Sequence, residues 1–394
     1  MPRLRESAMS TMLKLFTLMR DKKATDLFLS AGAPITIKMQ GNAVPVNQTI
    51  LTPADVENLL KEILTPEQLQ ELAETRELNT RKSYPDVGIF RLSCFYQRST
   101  MAMVARYIPS DIPKFDDLKL PSTLKEVIME KRGLILMVGA TGSGKSTSLT
   151  SMIDYRNESV SGHILTLEDP LEFIFKNKKS IVNQREVGTD TKAFQTALKN
   201  ALRQAPDVIL IGEIRDKDTM SQAIAYAQSG HLCLATLHAN NSYHALSRII
   251  SFYPLDNRPS LLADLAVTLK CIISQRLIKT PEGGRAAAVE VMLNSRHVAE
   301  LIEKGDMDGI KEAMDKSMTA GSQTFEQALY KLYKEGTITL EEATANADSA
   351  NNFLYLINNA AAETEKKPEA PATAPGTETV GGTTFSEFKL TLGD

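Results

Sequence analysis

The sequence predicts an α/β protein in two parts: an N-terminal α+β block, then a P-loop domain with a mostly parallel sheet. Three observations predict it. From residue 134 to residue 236, short apolar strand-like runs alternate with helical stretches, the pattern of parallel strands joined by covering helices. The apolar run at 134–138 leads directly into a glycine-rich loop and then a helical stretch. Pro109, Pro113 and Pro121 break the chain between the two parts, as a linker does.

Each element has its own signal. Residues 9–20 place Met9, Met12, Leu13, Leu15, Phe16, Leu18 and Met19 at amphipathic-helix spacing. Strand-like pieces follow at 26–29, 35–39 and 44–46, with turns at 32–34 and 41–42. Thr52 caps a helix that starts on Pro53. Residues 65–74 give another helix, and 88–96 with 101–107 a strand pair. Residues 1–108 therefore form the first domain and 109–122 the linker. Beyond it come a helix at 123–130 and strands at 134–138, 163–167, 208–211 and 232–236. Helices at 147–154, 192–204 and 218–228 lie between them. From Ala245 onward the pattern is mainly helical. The second domain spans 123–358. Residues 359–394 form a flexible low-complexity tail rich in Ala, Pro, Thr, Glu and Gly, with a somewhat apolar stretch at 385–392.

Bulk composition excludes several classes. The chain has 394 residues, 42% hydrophobic and 24% charged, which is ordinary for a globular protein of two or three domains. A formal net charge of −3 argues against a coat for nucleic acid. The three cysteines, Cys94, Cys233 and Cys271, form no CxxC pair, so no structural zinc site is expected. No apolar run approaches the ~20 residues that span a bilayer, and residues 1–20 lack the apolar core of a secretory signal.

Four motifs carry chemistry. Gly139, Ala140, Thr141, Gly142, Ser143, Gly144, Lys145 and Ser146 match G-x-x-x-x-G-K-[ST], with Thr147 opening the helical stretch. Backbone amides of such a loop turn inward on phosphates, and the helix N-terminus adds positive potential. Lys145 is placed to neutralise β and γ oxygens, and Ser146 to offer a hydroxyl to Mg²⁺. Next, residues 207–213 put four apolar residues before Glu213, an acid just past a strand end, where α/β sheets bind ligands. Glu213 is a candidate for Mg²⁺ or for the attacking water. Residues 165–172 place Glu168 at a second strand end, with Asp169 the weaker choice and Glu172 a surface residue. Finally, residues 230–238 set His231 and His238 at either end of one strand. Seven residues apart, they point to opposite faces, and His238 is the better phosphate sensor. Arg91 and Arg106 are the arginines considered as charge stabilisers, although pattern alone says little for them.

The P-loop GATGSGKS, the acidic box TLEDPLEF (166–173), VNQREVGTDT (182–191), ALRQAPDVILIGEIRD (201–216) and GHLCLATLH (230–238) follow in that order. Together they resemble the secretion ATPase superfamily, and within it the twitching-motility, or pilus retraction, ATPases of the PilT/PilU type, over roughly residues 5–358. The resemblance implies a PAS-like N-terminal domain and a RecA-like ATPase domain with a helical C-terminal part. It implies a homohexameric ring at the cytoplasmic face of the inner membrane, using ATP and Mg²⁺. Its partners are a paralogous retraction ATPase and the inner-membrane pilus platform protein, not nucleic acid. Nucleotide then binds at Lys145, Ser146, Glu168, Glu213, His231 and His238, with Ser146, Glu168 and Glu213 as metal ligands. Arg91 in FRLS and Arg106 in ARYIP match nucleotide-facing arginines.

Extension and type II secretion ATPases typically add an N-terminal domain and a four-cysteine zinc module. Here the P-loop begins at Gly139 and no CxxC exists. Principal retraction motors carry an AIRNLIRE-like segment. Residues 297–304 read HVAELIEK instead, and TDLFLS at 25–30 replaces SDLHLS. These departures and the tail point to the accessory branch. The alternative readings are an adaptor ring that binds the principal motor and, behind it, an extension or type II secretion ATPase. A DNA-translocating ring is disfavoured by the acidic balance and the lack of a basic–aromatic stripe.

Overall fold

A computed structural model of the chain describes residues 10–39, 41–108, 111–316 and 319–365. Met9 and the tail beyond Glu365, with its 385–392 stretch, lie outside the described residues.

The N-terminal block is one antiparallel sheet. Its strands are β1 (Asp26–Ser30), β2 (Pro34–Met39), β3 (Asn42–Ile50), β4 (Glu77–Tyr84), β5 (Gly88–Gln97) and β6 (Thr100–Ile108), in the order β3-β2-β1-β6-β5-β4. Helices Thr11–Asp21, Pro53–Lys61 and Pro66–Thr75 pack against it and bury Met12, Phe16, Leu60, Leu72 and Phe90. Phe16 stacks on Phe90 at 4.1 Å between ring centroids. Thr52 and Thr65 close reciprocal capping boxes with Asp55 and Gln68, each satisfying two otherwise orphan amides. Phe90 and Leu92 face the helices, so the intervening Arg91 points to the other face. Cross-strand register lines Arg81, Arg91 and Arg106 along that face, with Asp26 next in the row.

The second sheet holds β7 (Gly133–Val138), β8 (Gly162–Glu168), β9 (Ser180–Glu186), β10 (Val208–Ile211), β11 (Leu232–Leu237), β12 (Leu269–Lys279) and β13 (Arg285–Leu293). Its order is β13-β12-β7-β11-β10-β8-β9, and only β12 and β13 pair antiparallel. Leu134, Leu136 and Val138 feed one hydrophobic cluster, Ile135 and Met137 the other. A strand buried on both faces must be apolar throughout, which is why this run stood out in the sequence.

The structure adds detail to the sequence reading in three places. The chain after Ala245 is mainly helical as the pattern predicts, but β12 and β13 form a long hairpin within it. Residues 109 and 110 lie outside the described residues, and the rest of the linker packs against the second sheet. It makes a helical turn at Phe115–Leu118, and Phe115 and Leu120 are buried in the core under β7. The helix placed at 147–154 runs over Lys145–Ser159, and the helix Ala350–Glu365 extends past residue 359.

Leu136 sits fully buried in a central strand. Leu136→Ala is expected to lower stability by about 2–5 kcal/mol, read from the urea unfolding midpoint.

Candidate nucleotide site

Parallel pairing decides which residues meet. Leu237 of β11 pairs with Val138 of β7, Ile211 of β10 with Ala235 of β11, and Ile211 with Leu167 of β8. The four strands therefore end side by side. The 139–146 loop, His238, Glu213 and Glu168 leave them at one edge, where α/β sheets bind ligands. Around them lies a cavity of about 490 Å³ lined by Gly142, Lys145, Ser146, Glu168, Glu213 and His238, among others. Thr147 lines it too, as do Asp169 and Glu172, the two acids ranked lower from sequence.

His231 does not join them in this chain. It precedes β11, whose first residue pairs with Gly133 at the far end of β7. Six strand residues at about 3.3 Å each put it roughly 20 Å from the loop edge, and its Nδ1 lies 3.0 Å from Ser229 Oγ. Arg91 and Arg106 also stand outside the cavity lining. Arg106 Nε donates to Asp26 Oδ1 at 2.8 Å. Arg91 Nη2 donates to the Leu171 carbonyl, inside the acidic box, at 2.8 Å, while its buried Nε has no hydrogen-bond partner. Burial holds the Arg91 pKa below its ordinary value, opposed by Glu186 and, more weakly, by Glu172 and Asp169, with Arg106 adding to the lowering.

The loop is shaped by its glycines and its backing. Gly139 has φ +154°, and a Cβ there would lie 2.5 Å from Ser143 Oγ and 2.6 Å from the Gln275 carbonyl. Gly144, at φ +85°, would put a Cβ 2.7 Å from Gln275 Nε2. Both positions therefore require glycine. Lys145 Nζ donates to the carbonyls of Gly139 at 2.8 Å and Ala140 at 2.9 Å. Lys145 is only 9% exposed. Desolvation lowers its pKa, and the nearby Glu213 and Glu172 oppose that. The helix Lys145–Ser159 begins on this residue, so its unpaired N-terminal amides face the cavity edge.

Sequence reasoning missed Gln275. Its Nε2 donates to the Ser143 carbonyl at 2.8 Å, and its Oε1 accepts from Ser148 Oγ at 2.7 Å. It clamps the loop to the first turn of the helix that follows. No sequence signal marked it, because β12 lay in the stretch read as helical.

The acids occupy distinct environments. Glu213 accepts from Arg215 Nε at 2.7 Å and lies 3.3 Å from His238 Nε2. Glu168 accepts from Thr166 Oγ1 at 2.7 Å and Gln184 Nε2 at 3.3 Å. Burial pushes its pKa up to about 7 against those two hydrogen bonds, and the neighbouring Glu172 and Glu186 add to the rise. A carboxyl in that state is stabilised in its charged form by an added cation.

A glycine-rich loop with a buried lysine, backed by acids and a histidine at the carboxyl edge of a parallel sheet, defines a P-loop nucleotide-hydrolysing protein. Residues 117–283 match the family described as Type II/IV secretion system protein. The chain is 49% identical over 345 residues to the type IV pilus ATPase PilU of Pseudomonas aeruginosa, covering 87% of this chain and 90% of that protein. It is 37% identical over 330 residues to the type IV pilus retraction ATPase PilT of the same organism, covering 84% and 96%. A crystal structure of the pilus retraction motor PilT with bound ADP superposes with a TM-score of 0.82 at 40% identity, covering 87% of this chain and 99% of that one. The chain belongs to the PilT/PilU family of type IV pilus retraction ATPases.

Gln275→Ala leaves the Ser143 carbonyl and the Ser148 hydroxyl without their partner. It is expected to raise the KM for ATP about tenfold, since a lost buried hydrogen bond costs about 1–3 kcal/mol. Unchanged steady-state kinetics in a folded variant would remove Gln275 from the site.

Proposed function

We propose that this chain is the accessory retraction ATPase of a type IV pilus, working as a homohexameric ring with a paralogous principal motor. The observation that carries the proposal is the shared strand edge: Lys145, Glu168, Glu213 and His238 meet around one cavity. The closer identity to PilU than to PilT, 49% against 37%, supports the accessory branch. In this reading residues 1–108 are a PAS-like domain, 109–122 join it to the motor, and 123–358 are a RecA-like ATPase domain with a helical end. The tail is 359–394. The ring sits peripherally at the cytoplasmic face of the inner membrane against the pilus platform protein. Among the described residues no helix is long and apolar enough to cross a membrane.

The residues take separate roles. Amides of 139–146 cradle the phosphates, and Ser143 Oγ, buried without a hydrogen-bond partner, is a spare donor there. Lys145 exchanges its two carbonyl contacts for phosphate oxygens. An oxygen-only donor set, Ser146 with Glu168 and Glu213, suits Mg²⁺, which when bound neutralises phosphate charge. Glu213 orients the attacking water, and His238, 3.3 Å from it, reads the γ-phosphate position. Gly144, Thr147, Leu277 and Arg285 line both this cavity and a neighbouring one of about 890 Å³, which also borders Leu118 and Leu120. That second space takes the base and ribose. Arg91 and Arg106 serve a site completed by movement of the N-terminal domain or by a neighbouring protomer.

Lys145→Ala is expected to abolish ATP hydrolysis. Glu213→Ala is expected to bind ATP and stall, lowering kcat at least a hundredfold with nucleotide binding retained. Wild-type turnover in purified Glu213→Ala would sink its assignment. In cells, this protein alone, without its paralogue, is expected to give little or no pilus retraction, scored by twitching. Full retraction by this protein alone would replace the accessory reading with that of a principal motor.

A further inference from the structure

The loop that follows His238 does not end at the nucleotide edge. Two residues on, the Asn240 carbonyl accepts from Arg276 Nη2 at 3.2 Å. Asn241, 1% exposed, caps the helix Ser242–Ser251 by accepting from the His244 amide at 3.0 Å. Its other amide atom, Nδ2, donates to Asp348 Oδ2 at 2.7 Å. The second carboxylate oxygen of Asp348 pairs with Arg276. Asp348 thus receives one bond from the histidine loop and one from β12.

Arg276 is the residue after Gln275. Successive strand side chains point to opposite faces, so Gln275 holds the P-loop while Arg276 reaches the C-terminal helices. Its Nη1 donates to the Asn346 carbonyl, and its guanidinium lies 3.8 Å from the centroid of the fully buried Phe325 ring. Asp348 stands two residues before the helix Ala350–Glu365, whose entry is fixed by the Ser349 amide donating to Glu326 at 3.0 Å. Two routes from the nucleotide edge, one through residues 238–241 and one through residues 275–276, converge on a single carboxylate.

We propose that Asp348 is a positioning residue that couples the γ-phosphate edge to the C-terminal helices by holding Asn241 and Arg276 together. A planar guanidinium and a carboxylate give a directional pair, here with 21% and 16% side-chain exposure. A shift of the histidine loop must therefore drag Asp348 and the helix that begins at Ala350, or break the pair. The proposal rests on the nucleotide-site reading above.

Hydrogen–deuterium exchange of the full chain, with and without a non-hydrolysable ATP analogue, tests it alongside steady-state kinetics. In the wild type the analogue is expected to slow exchange both in the P-loop and at residues 346–359. In Asp348→Ala the P-loop protection stays, the 346–359 protection is lost, and kcat falls about tenfold while KM stays within about threefold. Asp348→Asn keeps an acceptor without the charge and is expected to recover part of kcat. Asn241→Asp retains the helix cap but sets a carboxylate against Asp348, so it should reproduce the Asp348→Ala pattern if that variant fails to fold. Loss of P-loop protection in the wild type would overturn the site reading itself. P-loop protection without any response at 346–359, or a response that survives both substitutions, would overturn the coupling alone.

Discussion

A glycine-rich loop cannot hold one shape by itself, and the sheet around residues 139–144 is arranged to fix it. Residues 139–144 give the backbone freedom that the turn needs, but freedom is also entropy to be lost on ordering. The compensation comes from fixed neighbours. Lys145 ties down the Gly139 and Ala140 carbonyls, and Gln275 ties Ser143 to Ser148. Gln275 can do so because β12 pairs parallel to β7 on the side away from β11. The hairpin strand is thus the wall against which the loop is set, and β11, β10 and β8 on the other side deliver the acids and the histidine.

Electrostatics ties the N-terminal sheet to this edge. Arg81, Arg91 and Arg106 stand opposite one another across three strands, an arrangement that like charges disfavour. Each finds a compensating oxygen. Arg81 pairs with Glu186 at 3.2 Å and Asp190 at 3.5 Å, Arg91 meets the Leu171 carbonyl, and Arg106 meets Asp26. Two of the three thereby reach across to the second sheet's acidic box and the end of β9. The unsatisfied Nε of Arg91 leaves that docking incomplete. A buried guanidinium nitrogen without an acceptor carries a desolvation cost that an added anion would relieve.

Legibility followed burial and locality. β7 was readable because both its faces are buried, so its apolar run is unbroken. The P-loop was readable because its chemistry is contiguous, and the Thr52 cap because it acts over three residues. β4 was not, since it is an edge strand of sequence ELNTRKSY with little apolar alternation. β12 was not, since LKCIISQRLIK buries residues on both faces and fits either period. Gln275 acts on Ser143 across 132 positions, and no local pattern encodes such a contact. His231 was carried to the site by resemblance alone. Strand parity already set the two histidines apart, and the pairing of β11 with β7 sends them to opposite ends of the sheet.

The departure at residues 297–304 falls away from the nucleotide cavity. Residues 297–304 lie in the helix Arg296–Lys304, which turns Val298 and Ile302 into the core against the helix Arg258–Thr268. His297, Glu300, Glu303 and Lys304 face outward. A change at these exposed positions alters the outer face of the helix and keeps the stripe that holds it in place. The P-loop, Glu168, Glu213 and His238 carry no comparable change. The cavity keeps the lysine, acids and histidine that the proposed hydrolysis uses, while the 297–304 departure confines its change to an outer helix face, which is what the proposed accessory role asks for and what a purely structural adaptor would not need.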